Sequence, residues 1–239
     1  MDNRQYNVQS QGGIQVARGS ATGAISPEAT KVLRNTYTLL AMTLLFSAVM
    51  AGVSMSIGLS QGVSLVCSLG ALALVWLVLP RTANSAAGIG VVFAFTGLLG
   101  LSLGPILMHY LQFANGSQIV MQALGGTAVV FLGLSGYVLT TKKDFSFMRG
   151  MLVAGMMVVI VGMLGAFVAS LFGVQVTAFS LAMSAAIVFL MSGFILYDTS
   201  RIVNGGETNY IMATTGLYLN IYNLFVSLLH LIGAFTGED

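Results

Sequence analysis

Seven apolar stretches, each near the length needed to cross a bilayer, dominate this chain and leave little else to fold. A helix rising 1.5 Å per residue needs about 20 apolar residues to cross ~30 Å of hydrocarbon. The stretches run roughly over 35–58, 62–80, 86–108, 119–140, 150–172, 177–203 and 208–235. Only 7% of the residues are Asp, Glu, Lys or Arg. A soluble surface needs several times more, so most of this surface must face lipid. The expected fold is an all-α polytopic membrane protein with seven transmembrane helices. The formal net charge of +2 is small and scattered, which excludes nucleic acid as a partner. A single cysteine, Cys67, excludes an intrachain disulfide and a CxxC metal site.

Three regions follow from this pattern: a tail over 1–34, a seven-helix domain over 35–235 and a short C-terminus over 236–239. The tail is rich in Gln, Gly, Ser and Asn and carries no apolar h-region, so it reads as a flexible segment without a cleavable signal. The loops between spans are short, which makes successive helices antiparallel neighbours and leaves no place for a soluble domain. Asn204-Gly205-Gly206 reads as a helix C-cap, with Thr208 or Asn209 capping the helix that follows.

Charge sets the orientation. Arg4, Arg18, Lys31 and Arg34 precede the first span, and Arg81 separates the second from the third. Lys142, Lys143 and Arg149 lie between the fourth and fifth, and Arg201 lies near the sixth-to-seventh link. With seven spans, every Lys and Arg falls on one side. The positive-inside rule then makes the N-terminus cytoplasmic and places Glu238 and Asp239 outside. Tyr37, Trp76 and Tyr110 fall near span ends, where amphipathic rings prefer to lie. Gly100 with Gly104, and Gly162 with Gly165, recur at the spacing that lets helices pack closely.

Catalytic patterns are weak. Gly133-Leu134-Ser135-Gly136 spells the GxSG of intramembrane serine proteases, and His230 is the one conceivable base within a span. Their depths differ by roughly 15 Å, whereas a base must lie within about 3 Å of its nucleophile's proton. No HExxH, phosphate loop or dinucleotide fingerprint occurs, and no cofactor or catalytic residue is assigned. His109 sits at a span boundary and reads as a solvated interface residue.

Polar groups inside the spans are more informative. In the last span Gly216, Asn220, Asn223, Ser227 and His230 recur every three or four residues and form one stripe, expected to face the protein. Tyr218 and Tyr222 occupy another face. The stripe fits either hydrogen-bonded glue between helices or a polar path through the bundle. Asp198 is the one acid within an apolar span, about 8 Å inside its helix end if that helix runs to Val203. It fits either an ion or proton site or an interfacial ion pair, with Arg201 and Arg81 as candidate partners.

Two segments of the last third resemble the Bax inhibitor-1 family. They are Ile195-Leu196-Tyr197-Asp198-Thr199-Ser200-Arg201-Ile202 and Leu217-Tyr218-Leu219-Asn220-Ile221-Tyr222-Asn223-Leu224-Phe225. Gly205-Gly206-Glu207-Thr208-Asn209-Tyr210-Ile211, Gly104-Pro105-Ile106-Leu107 and Lys142-Lys143-Asp144-Phe145-Ser146-Phe147 look like its proteobacterial branch of FtsH-protease modulators. The resemblance covers roughly residues 31–239. It implies a bundle with the last helix central, in the bacterial inner membrane. It also implies a non-enzymatic role: binding and restraining a membrane-anchored AAA+ FtsH-type protease. A cytoplasmic tail of this length would also suit threading by that ATPase. For other members the family implies a pH-sensitive calcium leak through two acids, with calcium or protons as further partners. The first acid matches Asp198, the one candidate calcium ligand, and Arg81 matches a family arginine near the end of helix two. The second acid position matches Asn220, an amide, so the proton sharing of two close carboxylates is absent.

Overall fold

The computed structural model describes residues 25–236. The expectations for Arg4, Arg18 and most of the tail, and for Glu238 and Asp239, lie outside these residues. Seven helices long and apolar enough to span a membrane make up the described chain. They are α1 (Pro27–Ser56), α2 (Gln61–Thr82), α3 (Ala87–Leu111), α4 (Gly116–Thr141), α5 (Ser146–Leu171), α6 (Thr177–Val203) and α7 (Tyr210–Thr236). The multi-pass membrane architecture read from the sequence is therefore the one observed.

Helix ends follow local chemistry. α1 begins at Pro27 rather than at 35, because Ser26 accepts a hydrogen bond from the Ala29 N–H (3.1 Å) and Pro27 is preset for the first helical position. At the end of α6, Gly205 takes φ +74°, a left-handed value that favours glycine. The Gly206 N–H can then donate back to the Arg201 carbonyl at 2.7 Å. Asn209 starts α7, its Oδ1 accepting from the N–H groups of Ile211 (2.9 Å) and Met212 (3.2 Å). Its Nδ2 reaches across to the Ala83 carbonyl (3.0 Å) and Asn84 Oδ1 (2.8 Å), tying the α2–α3 link to α7.

Two prolines lie inside spans, and each frees a carbonyl that lipid cannot satisfy. Pro80 follows a π-helical stretch, Leu74–Val78, in which the turn widens ahead of the missing N–H. Pro105 cannot donate to the Leu101 carbonyl. Ser54 of α1 replaces the lost donor, its Oγ bonding that carbonyl at 2.7 Å. Ser54 gets that close because Gly104 faces it, and any side chain at 104 would overlap the Ser54 hydroxyl. Gly100 is pressed in the same way against the Ser47 backbone, so the GxxxG forms the α1–α3 seam. Gly162 faces Met183 and Phe179 of α6, whereas a Cβ at Gly165 would meet nothing within 4 Å among the described residues.

α7 is central and packs against α6, α4 and α1, with α3 touching it more lightly. Half of its apolar window is buried, and α3 is as deep at 56%, whereas α5 reaches only 11%. Tyr218 and Tyr222 face the α1–α3 side, bonding Ser47 Oγ (2.6 Å) and Ser102 Oγ (3.0 Å). α2 rests on α3, and α5 rests on α6. Among the described residues no packing interface joins α2 to α5, and these residues leave one side of α7 uncovered.

Candidate functional site

The structure brings Asp198 and Asn220 together. The Asn220 Nδ2 donates to Asp198 Oδ2 at 2.8 Å, and Asn220 is 7% exposed. Gly216, one turn earlier on α7, leaves room for the carboxylate, since a Cβ there would sit 3.2 Å from Asp198 Oδ2. Two residues of the predicted stripe thus cradle the acid, one by being small and one by donating an amide hydrogen.

The expected cationic partners turn elsewhere. Arg201 pairs with Glu207 at 3.1 Å, donates to the Gly206 carbonyl and stacks on Tyr197. Arg81 donates to the Leu77 carbonyl of its own helix, in the disturbed stretch before Pro80. Of the two readings open for Asp198, the structure shows no ion pair with Arg201 or Arg81 among the described residues, and a neutral amide meets the carboxylate instead. The reason is geometric: the left-handed turn at Gly205 brings Glu207 back within reach of Arg201.

Around this pair, the ends of α4 and α6 are latched. Ser135 Oγ lies 3.3 Å from Thr199 Oγ1, and Ser200 Oγ accepts from the Phe145 N–H at 2.9 Å. Asn204 Nδ2 donates to the Ser200 carbonyl at 3.0 Å. The Lys142-to-Phe147 motif is thus fastened to the helix that carries Asp198. Sequence reasoning treated that loop only as a marker. Neither its spacing nor its composition signals a bond to Ser200, because the partners are 55 positions apart.

The rest of the stripe divides. Ser227 is buried, but Asn223 is exposed, contrary to the expectation that the whole stripe faces protein. Because α2 and α5 do not meet, Asn223 looks into the gap between them. Farther along, His230 Nδ1 lies 2.8 Å from Ser184 Oγ of α6. Ser135 and His230, the pair considered for catalysis, are each engaged by different residues on α6. Among the described residues no group of three or more His, Cys, Asp or Glu side chains could hold a metal. A calcium ion takes six to eight oxygens, and Asp198 offers it one carboxylate beside an amide that presents a donor.

Comparison with known proteins agrees with this architecture. Residues 29–237 match the family described as "Inhibitor of apoptosis-promoting Bax1". The chain is 51% identical over 209 residues to the "Modulator of FtsH protease YccA" of Escherichia coli (strain K12), covering 87% of this chain and 92% of that protein. It is 50% identical over 213 residues to an "Uncharacterized membrane protein" of Vibrio cholerae, covering 89% and 93%. With the matched region taking in all seven helices and the Asp198–Asn220 pair, the chain belongs to the Bax inhibitor-1 family.

Proposed function

We propose that this protein is a non-enzymatic component of the bacterial inner membrane that binds and restrains an FtsH-type membrane-anchored AAA+ protease. The observation that carries the reading is the 51% identity to a protein named as a modulator of that protease, over 92% of its length. The bundle suits the role. Its helices are joined by short links, so a partner must be met on the lipid-facing surface or at the basic end bearing Arg81, Lys142, Lys143, Arg149 and Arg201. That end is assigned to the cytoplasm, with the N-terminus on the same side and the C-terminus in the periplasm.

A pH-sensitive calcium or cation leak through Asp198 stands second. Its partner Asn220 donates one hydrogen bond and has no titratable proton to share, so the coupled equilibrium of two acids is missing.

The test is co-purification of the full chain with an FtsH-type protease in mild detergent, followed by degradation of a membrane substrate in proteoliposomes. Stable association and slower degradation are expected. Absence of both, at matched protein levels, would remove the proposal.

A further inference from the structure

On the uncovered side of α7 a groove runs along the bundle, between α2 and α5 in its first part and between α3 and α5 beyond it. Its mid-membrane part has a volume of ≈730 Å³ and is walled by Leu72, Trp76, Met156 and Met163. A second part, ≈380 Å³, continues toward the end opposite the basic loops and is lined by Tyr110, Ser184, Ser227 and His230. Asn223, Met163 and Ile187 belong to both parts, so the groove is continuous.

Its floor carries polar atoms without partners. Asn223 stands midway along α7, about 20 Å from either end and thus near the bilayer centre. Its Nδ2 donates to the Leu219 carbonyl at 2.8 Å, and its Oδ1 accepts nothing among the described residues. Ser227 is only 5% exposed, and its hydroxyl has no hydrogen bond among the described residues. His230 Nδ1 meets Ser184, and Nε2 has no partner among the described residues. Hydrocarbon cannot satisfy any of these atoms, and each one left unpaired there is costly.

The occupant can be specified by charge and shape. No Asp, Glu, Lys or Arg lines either part, so phosphate headgroups and metal ions would meet no opposite charge. The three groups sit at i, i+4 and i+7, spread over about 10 Å along the groove. A compact polar head cannot reach all three, whereas a helix bearing small polar residues at the same spacing can. The walls suit such a guest: methionine side chains adapt to irregular surfaces, and α5, which among the described residues packs mainly against α6, has room to adjust.

We propose that this groove receives a transmembrane helix of the protease, one carrying Ser, Thr, Asn or Gln at one-turn intervals, read by Asn223, Ser227 and His230. The inference rests on the protease being the partner, and it names where the contact is made.

The test places a photo-crosslinking residue at Met163 or Leu72 in the groove, or at Val129 on the lipid face of α4, in full-length protein co-expressed with an FtsH-type protease. Crosslinks from Met163 and Leu72 to a membrane helix of the protease are expected, with none from Val129. N223L is expected to lower co-purification about three- to tenfold, with N223Q intermediate. Unchanged helical circular dichroism and gel-filtration profile would separate this loss from misfolding. Crosslinks from Val129 but not from the groove, with co-purification intact, would overturn the docking site and leave the protease role standing. A neutral lipid such as a quinone captured from Met163 in place of the protease would overturn it likewise. No co-purification of the unaltered protein would remove both.

Discussion

Ser54 offers the sharpest test of how this bundle is held together, because its hydroxyl does the work of a backbone N–H that Pro105 lacks. The bond from Ser54 Oγ to the Leu101 carbonyl is 2.7 Å, and Ser54 is wholly buried. In S54A no water can enter from lipid to replace the donor. A buried carbonyl left unsatisfied costs about 1–3 kcal/mol. Hydrogen bonds between membrane helices average only ~0.6 and reach ~1.7 kcal/mol, because the unfolded helix also finds partners. A loss near ~1.5 kcal/mol is therefore expected, at the upper end because Pro105 denies the carbonyl any partner in its own helix. The diagnostic step is P105A. An alanine at this position restores the N–H, so S54A should cost about 1 kcal/mol less in that background. Unfolding by dodecyl sulfate in mixed micelles, followed by helical circular dichroism, gives all four corners of the cycle. Equal costs of S54A with and without Pro105 would refute the substitution of one donor for the other.

Three further outcomes are expected. D198N keeps a polar partner for Asn220 and should cost under about 1 kcal/mol, whereas N220L strips the carboxylate of its donor and should cost ~3 kcal/mol in the same assay; the reverse order would mean that the pair is not the stabilising contact. In a C67A background, K143C should resist a membrane-impermeant maleimide in intact spheroplasts while Q175C reacts, and labelling of both on one side would break the seven-span topology. S135A should leave protease association and substrate degradation unchanged, since its hydroxyl only meets Thr199 at 3.3 Å; loss of restraint with an intact fold would revive a chemical role for Ser135.

What the sequence carried, it carried through lipid. The need to satisfy backbone groups inside hydrocarbon makes each long apolar run a helix, and short links then order the helices. Asp198 and the stripe stood out for the same reason, as polar groups that lipid penalises. What periodicity cannot say is which neighbour a polar side chain meets. One stripe on α7 therefore splits three ways. Asn220 answers Asp198, and His230 answers Ser184. Asn223 and Ser227, left to the groove that α5 borders with α2 and α3, answer no other helix among the described residues. Arg201 misled for a related reason: at three positions from Asp198 it lies on a suitable helix face, yet the turn at Gly205 delivers Glu207 to it first. Periodicity had offered a choice between glue and path for the stripe, and the packing divides it instead. Its Asp198 and Ser184 contacts are glue between α6 and α7. Its middle is an unfilled surface at the depth where an amide oxygen without a donor is most costly, which is where a second membrane helix would gain most by docking.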